Sequence, residues 1–190
     1  MTREAMRAIV VGLAGLGVAG QLLAGLFLIA TLLAAAGLRT PLLFLRKTLH
    51  GYELWLACLV ATVATGGSLF FSEVANFIPC QLCWYQRYCM YPLSITTLVL
   101  AVLRARRAAR WLLPIPVVGA GISVHHLLIE NGLAPETIEC MLSAPGGCRL
   151  KWIHEFGYVT IPTLALTAFA LVFAFLLLAV LNPTPPLHEP

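Results

Sequence analysis

Five apolar runs, each near or above the ~20 residues that span a bilayer, leave few folds open to this chain. They cover about 8–38, 52–74, 84–103, 111–129 and 156–181. Inside lipid every backbone N–H and C=O must find a partner within the protein, so runs of this kind form helices. Composition agrees: 60% of residues are hydrophobic and 11% charged, against roughly 25% charged in a soluble domain. The reading is an all-α polytopic membrane protein with no soluble domain large enough to hold its own core.

The net charge of +4 comes from clustered arginines, so it bears on topology and implies no nucleic-acid partner. Arg104-Ala-Arg-Arg-Ala-Ala-Arg110 is the strongest topogenic signal and belongs on the cytoplasmic side, with the basic loop at 39–50. Seven Lys and Arg then lie inside and five outside, the latter being Arg3, Arg7, Arg87, Arg149 and Lys151. The first run must cross from outside to inside, against the bias of Arg3 and Arg7. A secretory signal is one reading of it. The run exceeds the 7–15 residues of a signal core, so a transmembrane helix is expected. Gly12, Gly15, Gly17 and Gly20 give it a face for close helix packing.

The chemistry-bearing stretch is Pro79-Cys-Gln-Leu-Cys-Trp-Tyr-Gln-Arg87, where the third span begins. Pro79 disfavours helix at Ile78, so the helix starts near Cys80. Spacings of three and four then put Cys80, Cys83 and Arg87 on one face. The positive helix end and Arg87 both favour thiolate, the reactive form. Pro92 should kink this helix, with Ser94, Thr96 and Thr97 available to satisfy the backbone. A second pair, Cys140 and Cys148, encloses seven residues that include Gly146-Gly147. That loop reads as polar and exposed, suited to a disulfide that an external protein attacks. Leu150–Phe156 should lie on the membrane surface. Cys58 and Cys89 read as small buried hydrophobes.

Two cysteine pairs on one side of a membrane suggest a relay by thiolate attack on disulfide sulfurs. A lipid-soluble acceptor for the CxxC pair would be a quinone, with Arg87 holding an oxygen and His125 or His126, at the same boundary, binding or protonating it. Either histidine reads equally well as an interfacial polar residue, and Trp84, Tyr85 and Tyr88 as an aromatic belt. A four-cysteine zinc site is disfavoured because structural sites space their pairs by two to four residues, and no metal is expected. The competing function is a non-catalytic membrane protein whose two disulfides staple its outer loops.

The motif at 79–87, followed by Met90-Tyr-Pro-Leu93, the second cysteine pair and Phe156-Gly-Tyr-Val-Thr-Ile-Pro162, resembles the DsbB/BdbC family of disulfide bond formation proteins over about 51–181. The resemblance implies a four-helix transmembrane bundle, here with one extra N-terminal transmembrane helix. The chain then divides into the extra segment and basic loop (1–50), the DsbB-like membrane domain (51–182) and a tail (183–190) whose prolines lead us to expect disorder. The resemblance also implies a thiol:quinone oxidoreductase of the bacterial cytoplasmic membrane. Such an enzyme reoxidises an extracytoplasmic DsbA-like thioredoxin-fold partner and passes electrons to ubiquinone or menaquinone. Carried over by motif, Cys140 meets the partner, Cys148 is its loop mate, Cys80 and Cys83 form the quinone-side pair, and Arg87 contacts quinone. Trp84-Tyr-Gln-Arg87 and the short second loop resemble the BdbC-like branch. The vitamin K epoxide reductase family does similar chemistry with its CxxC after the loop pair, the reverse of the order here.

Overall fold

The computed structural model describes residues 2–182, so the tail expected to be disordered at 183–190 lies outside the described residues. Among the described residues seven α-helices follow in order: α1 (Arg3–Ala35), α2 (Thr40–Thr48), α3 (Glu53–Leu69), α4 (Gln81–Val102), α5 (Pro114–Glu130), α6 (Ile138–Ser143) and α7 (Ile161–Leu181). A π-helical turn, Phe70–Val74, extends α3, and a 3-10 turn, Arg106–Leu112, leads into α5. Among the described residues there is no β-strand beyond an isolated bridge between Glu155 and Val159.

Among the described residues four helical stretches are long and apolar enough to cross a membrane: Arg3–Ala35, Glu53–Val74, Arg106–Glu130 and Ile161–Leu181. The chain is thus a multi-pass, all-α membrane protein. Helix α4, at 22 residues, or about 33 Å at 1.5 Å per residue, matches the shorter of these in length. Gln81, Gln86 and Arg87 make its first half more polar. It runs unbroken through Pro92; the hydroxyls of Ser94, Thr96 and Thr97 donate to the carbonyls of Tyr91, Pro92 and Leu93.

Helix α7 is the centre of the bundle, packing on α1, α3 and α5, while α4 packs on α3 and α5. Its buried Phe169, Val172, Phe175 and Leu176 face Leu54, Ala57 and Ala61 of α3 and Leu93 of α4. Helix α1 runs alongside α7 in the same direction: Gly17 lies against Leu164, Gly20 against Thr167 and Leu171, and Phe27 against Phe175 edge-on at 5.6 Å. The glycine face expected on α1 is therefore partly used, at Gly17 and Gly20, whereas Gly12 and Gly15 face open space.

The two ends of the bundle differ in kind. At one end Glu53 is fully buried, with its carboxylate 3.4 Å from the Arg106 guanidinium. The same carboxylate accepts from the Gly51 N–H at 2.9 Å and from the Asn182 amide. Arg46 donates to Asn182 Oδ1 at 2.9 Å. This network ties α2, α3, the 3-10 turn and the end of α7 together. At the other end lie both cysteine pairs. There Leu150–Phe156, expected on the membrane surface, folds over the bundle: Trp152 stacks on Phe77 at 4.9 Å and Ile153 is buried with Val10 and Phe71.

Candidate functional site

Pro79 disfavours helix at Ile78; Cys80 caps α4 in an extended conformation (φ −73°, ψ 172°), and the helix begins at Gln81. The Gln81 N–H donates to Ser143 Oγ at 3.0 Å, which pins the start of α4 to the end of α6. Cys80 and Cys83 are free, with sulfurs 3.1 Å apart. Cys140 and Cys148 are joined in a disulfide. Cys80 Sγ, Cys148 Sγ and a ring nitrogen of His126 all lie within 4.8 Å of one another. The two cysteine pairs, more than fifty residues apart in sequence, meet at Cys80 and Cys148.

The loop disulfide is not exposed, contrary to expectation. Cys140 and Cys148 are each 1% accessible, buried with Leu82, Ile129 and Ala144. Three interactions fold the loop inward. Thr137 caps α6 by accepting from the Cys140 N–H at 3.3 Å. The Glu136 carboxylate accepts from the Cys148 N–H and lies 3.7 Å from the Arg149 guanidinium. Gly146 and Gly147 both take positive φ (86° and 63°), and a side chain at Gly147 would meet the Glu136 carboxylate. The outer face of α6 is apolar and exposed, at Ile138, Met141 and Leu142.

His126 is buried and its Nε2 lies 3.6 Å from Cys80 Sγ. Its Nδ1 is 3.5 Å from the Gln86 amide nitrogen. With that amide donating to Nδ1, the ring proton sits on Nε2 and faces the sulfur. The Cys80 thiol is lowered to about 4, by its hydrogen bond with Cys83 first and by His126 next, against the opposing pull of burial. His125, the other histidine singled out from sequence, is exposed. Of the cluster Cys80, His126 and Cys148, only the first two have free ligand atoms, since the Cys148 sulfur is committed to its disulfide.

Cys83 and Arg87 face a different space. They line a cavity of about 380 Å³ between α1, α3, α4 and α7, within the size range of small-molecule sites. Its walls are apolar except for Ser68, Gln86, Arg87, Tyr91 and Thr167. Arg87 is 9% accessible, donates to the Ser68 carbonyl at 3.1 Å and lies 5.0 Å from the Trp84 ring centroid. Among the described residues no carboxylate pairs with it. A buried guanidinium with donors to spare, at the wall of an apolar cavity beside a thiol, fits a flat apolar ligand bearing acceptor oxygens. Neither His125 nor His126 reaches this wall.

Gln86, Glu136 and Ser143 are site residues that sequence reasoning passed over. Gln86 adjoins Arg87 and falls one turn beyond Leu82 on the same helix, a weak signal. Glu136 and Ser143 carried none, since both sit in a stretch that reads as polar loop.

Residues 52–180 match the family described as "Disulfide bond formation protein DsbB". The chain is 40% identical over 132 residues to "Disulfide bond formation protein C" of Bacillus subtilis, covering 67% of this chain and 89% of that protein. It is 37% identical over 132 residues to "Probable disulfide formation protein" of Deinococcus radiodurans, covering 65% and 86%. A protein of the same printed name from Coxiella burnetii is 36% identical over 135 residues, covering 70% and 90%. No solved structure matches the chain significantly.

Proposed function

The chain belongs to the DsbB family of disulfide bond formation proteins, and from that premise we propose that it is a thiol:quinone oxidoreductase that reoxidises a DsbA-like thioredoxin-fold partner. Its site would lie on the extracytoplasmic side of the bacterial cytoplasmic membrane, with the arginine-rich end of the bundle inside, as the clustering of Arg104–Arg110 favours. The observation that carries the reading is the approach of Cys80 to Cys148 within 4.8 Å. Two disulfides that merely staple loops need no such contact.

The proposed sequence of exchanges starts with the partner's thiolate attacking Cys140. The Cys140–Cys148 bond breaks, a mixed disulfide forms, and Cys148 leaves as a thiolate. The partner's second thiol resolves the mixed disulfide, so the partner departs oxidised and the electron pair stays on Cys140 and Cys148. In the oxidised enzyme Cys80 and Cys83 are bonded. Cys148 attacks Cys80, a Cys80–Cys148 bond forms, and Cys83 leaves as a thiolate at the cavity wall. Cys140 then attacks Cys148, which restores the loop disulfide and leaves Cys80 and Cys83 reduced, the arrangement described above. His126 presents the Nε2 proton to Cys80 as its charge develops. Quinone, ubiquinone or menaquinone, would supply the two-electron acceptor at Cys83, held by Arg87.

Cys140 must come to the surface for the first step, so α6 has to move. The exposed Ile138, Met141 and Leu142 next to it would give the partner an apolar surface to seize. The hand-over is testable directly. In a Cys83→Ser/Cys140→Ser double variant, Cys80 and Cys148 should join on mild oxidation, seen by peptide mapping. Two free thiols that never bond would contradict the relay.

A further inference from the structure

We propose that α1, which precedes the family-matched residues, is part of the acceptor site: it forms the cavity's outer wall and gate and selects the apolar tail admitted there. The inference rests on the quinone reading above and adds a tail subsite to it. Leu13, Leu16, Gly17 and Gly20 of α1 line the same cavity as Cys83 and Arg87. Opposite them on α3 stand Leu59, Val63 and Gly67. Leu16, Leu59 and Val63 line the cavity yet are 62%, 59% and 43% exposed, so the cavity opens on the bundle's flank between α1 and α3. Leu13 bridges that opening, with methyls 3.7 Å from the point where a Cβ on Gly67 would stand.

The occupant follows from the two ends of the space. At the inner end, buried Arg87 offers donors to acceptor oxygens beside the Cys83 sulfur. At the outer end the lining is hydrocarbon and leads to lipid. A ring carrying oxygens with a long apolar tail satisfies both, and the tail must leave past Leu13 and Leu16. The close seating of α1 on α7 through Gly17 and Gly20 holds this wall at its distance. A phospholipid acyl chain would share the hydrocarbon contacts but would bring no electron acceptor to Cys83.

The test uses the full chain, a reduced thioredoxin-fold donor, and quinones with long and short tails. Leu13→Trp narrows the opening and should raise KM for the long-tailed quinone by about tenfold or more, as pocket bulk of this size does. KM for the short-tailed quinone should rise less, and KM for the thiol donor should stay unchanged. Leu22→Trp, on an exposed position of α1 away from the cavity, should behave as wild type. An unchanged long-tail KM in Leu13→Trp, with its Cys140–Cys148 disulfide intact, would overturn the proposal and leave the quinone reading standing. If Leu13→Trp does not fold, photolabelling wild type with a long-tailed photoreactive quinone decides. Label on residues 10–21 supports the gate, and label confined to α3 and α4 overturns it. Competition of that label by phospholipid and not by unlabelled quinone would overturn it in favour of an acyl-chain groove. Absence of quinone reduction by wild type would overturn this proposal and the quinone reading together.

Discussion

The Cys80 sulfur stands between two others with which it can exchange, Cys83 at 3.1 Å and Cys148 within 4.8 Å. Its depressed pKa of about 4 sets the sign of its pH response. Above that value the group is a thiolate, whereas an ordinary cysteine ionises near 8.5. Thiolate absorbance of the reduced protein should therefore persist from about pH 8 down to about pH 5 and vanish on further acidification. His126→Ala removes a donor to the thiolate, so the midpoint should move up by about one unit or more. An unmoved midpoint would mean that His126 does not act on Cys80. Arg87 acts elsewhere, at the cavity. Arg87→Ala should lower quinone-dependent turnover by about a hundredfold, the effect of losing one charge-stabilising donor, while the Cys140–Cys148 disulfide forms normally. Equal loss of the disulfide and of turnover would mark Arg87 as structural.

Helix α6 and the buried ionic network are the elements whose energetics matter most, for opposite reasons. A six-residue helix is marginal alone, and Thr137 holds its first turn over the disulfide. Thr137→Ala removes a cap worth about 1 kcal/mol, so the opened form should be about five times more populated. Reduction of Cys140–Cys148 by a small thiol should quicken by the same factor, and an unchanged rate would show that α6 does not gate access. At the far end, Glu53 cannot leave Arg106 unpaired without cost. Glu53→Ala should destabilise the bundle by about 3–5 kcal/mol, the usual penalty for breaking a buried pair, seen as a lower midpoint of thermal unfolding in detergent. How far these elements are legible in the sequence follows from the range of the interactions. Pro79 and the three- and four-residue spacings are local, so the start of α4 and the common face of Cys83 and Arg87 can be read directly; Cys80, expected on that face, instead caps the helix and turns toward His126 and Cys148. The inward fold of the second loop depends on Glu136, Ser143 and Gly147 meeting groups that no periodicity points to, and it reads as an exposed loop. Glu53 looks like one acidic residue near a basic loop until Asn182 and Arg106 arrive from distant turns.

At the scale of the whole molecule, the bundle separates a thiol-bearing end from an arginine-rich end and opens a cavity on its flank between α1 and α3. Apolar run lengths suffice to read the helical membrane architecture, because lipid leaves the backbone little choice. They do not say which helices touch. The seating of α1 on α7, and its share of the cavity, come from the steric fit of Gly17 and Gly20 against Leu164, Thr167 and Leu171. In the relay proposed above, electrons pass from the reduced Cys140/Cys148 pair to the CxxC pair and leave through the cavity. The measurement that meets it most directly is quinone reduction by the purified full chain, fed by a reduced thioredoxin-fold donor and followed by quinone absorbance. Cys83→Ser and Cys140→Ser run alongside wild type. A relay requires that wild type turn over and that both variants stop. A wild type inactive with ubiquinone and menaquinone analogues alike, or a Cys140→Ser variant that turns over normally, would contradict it.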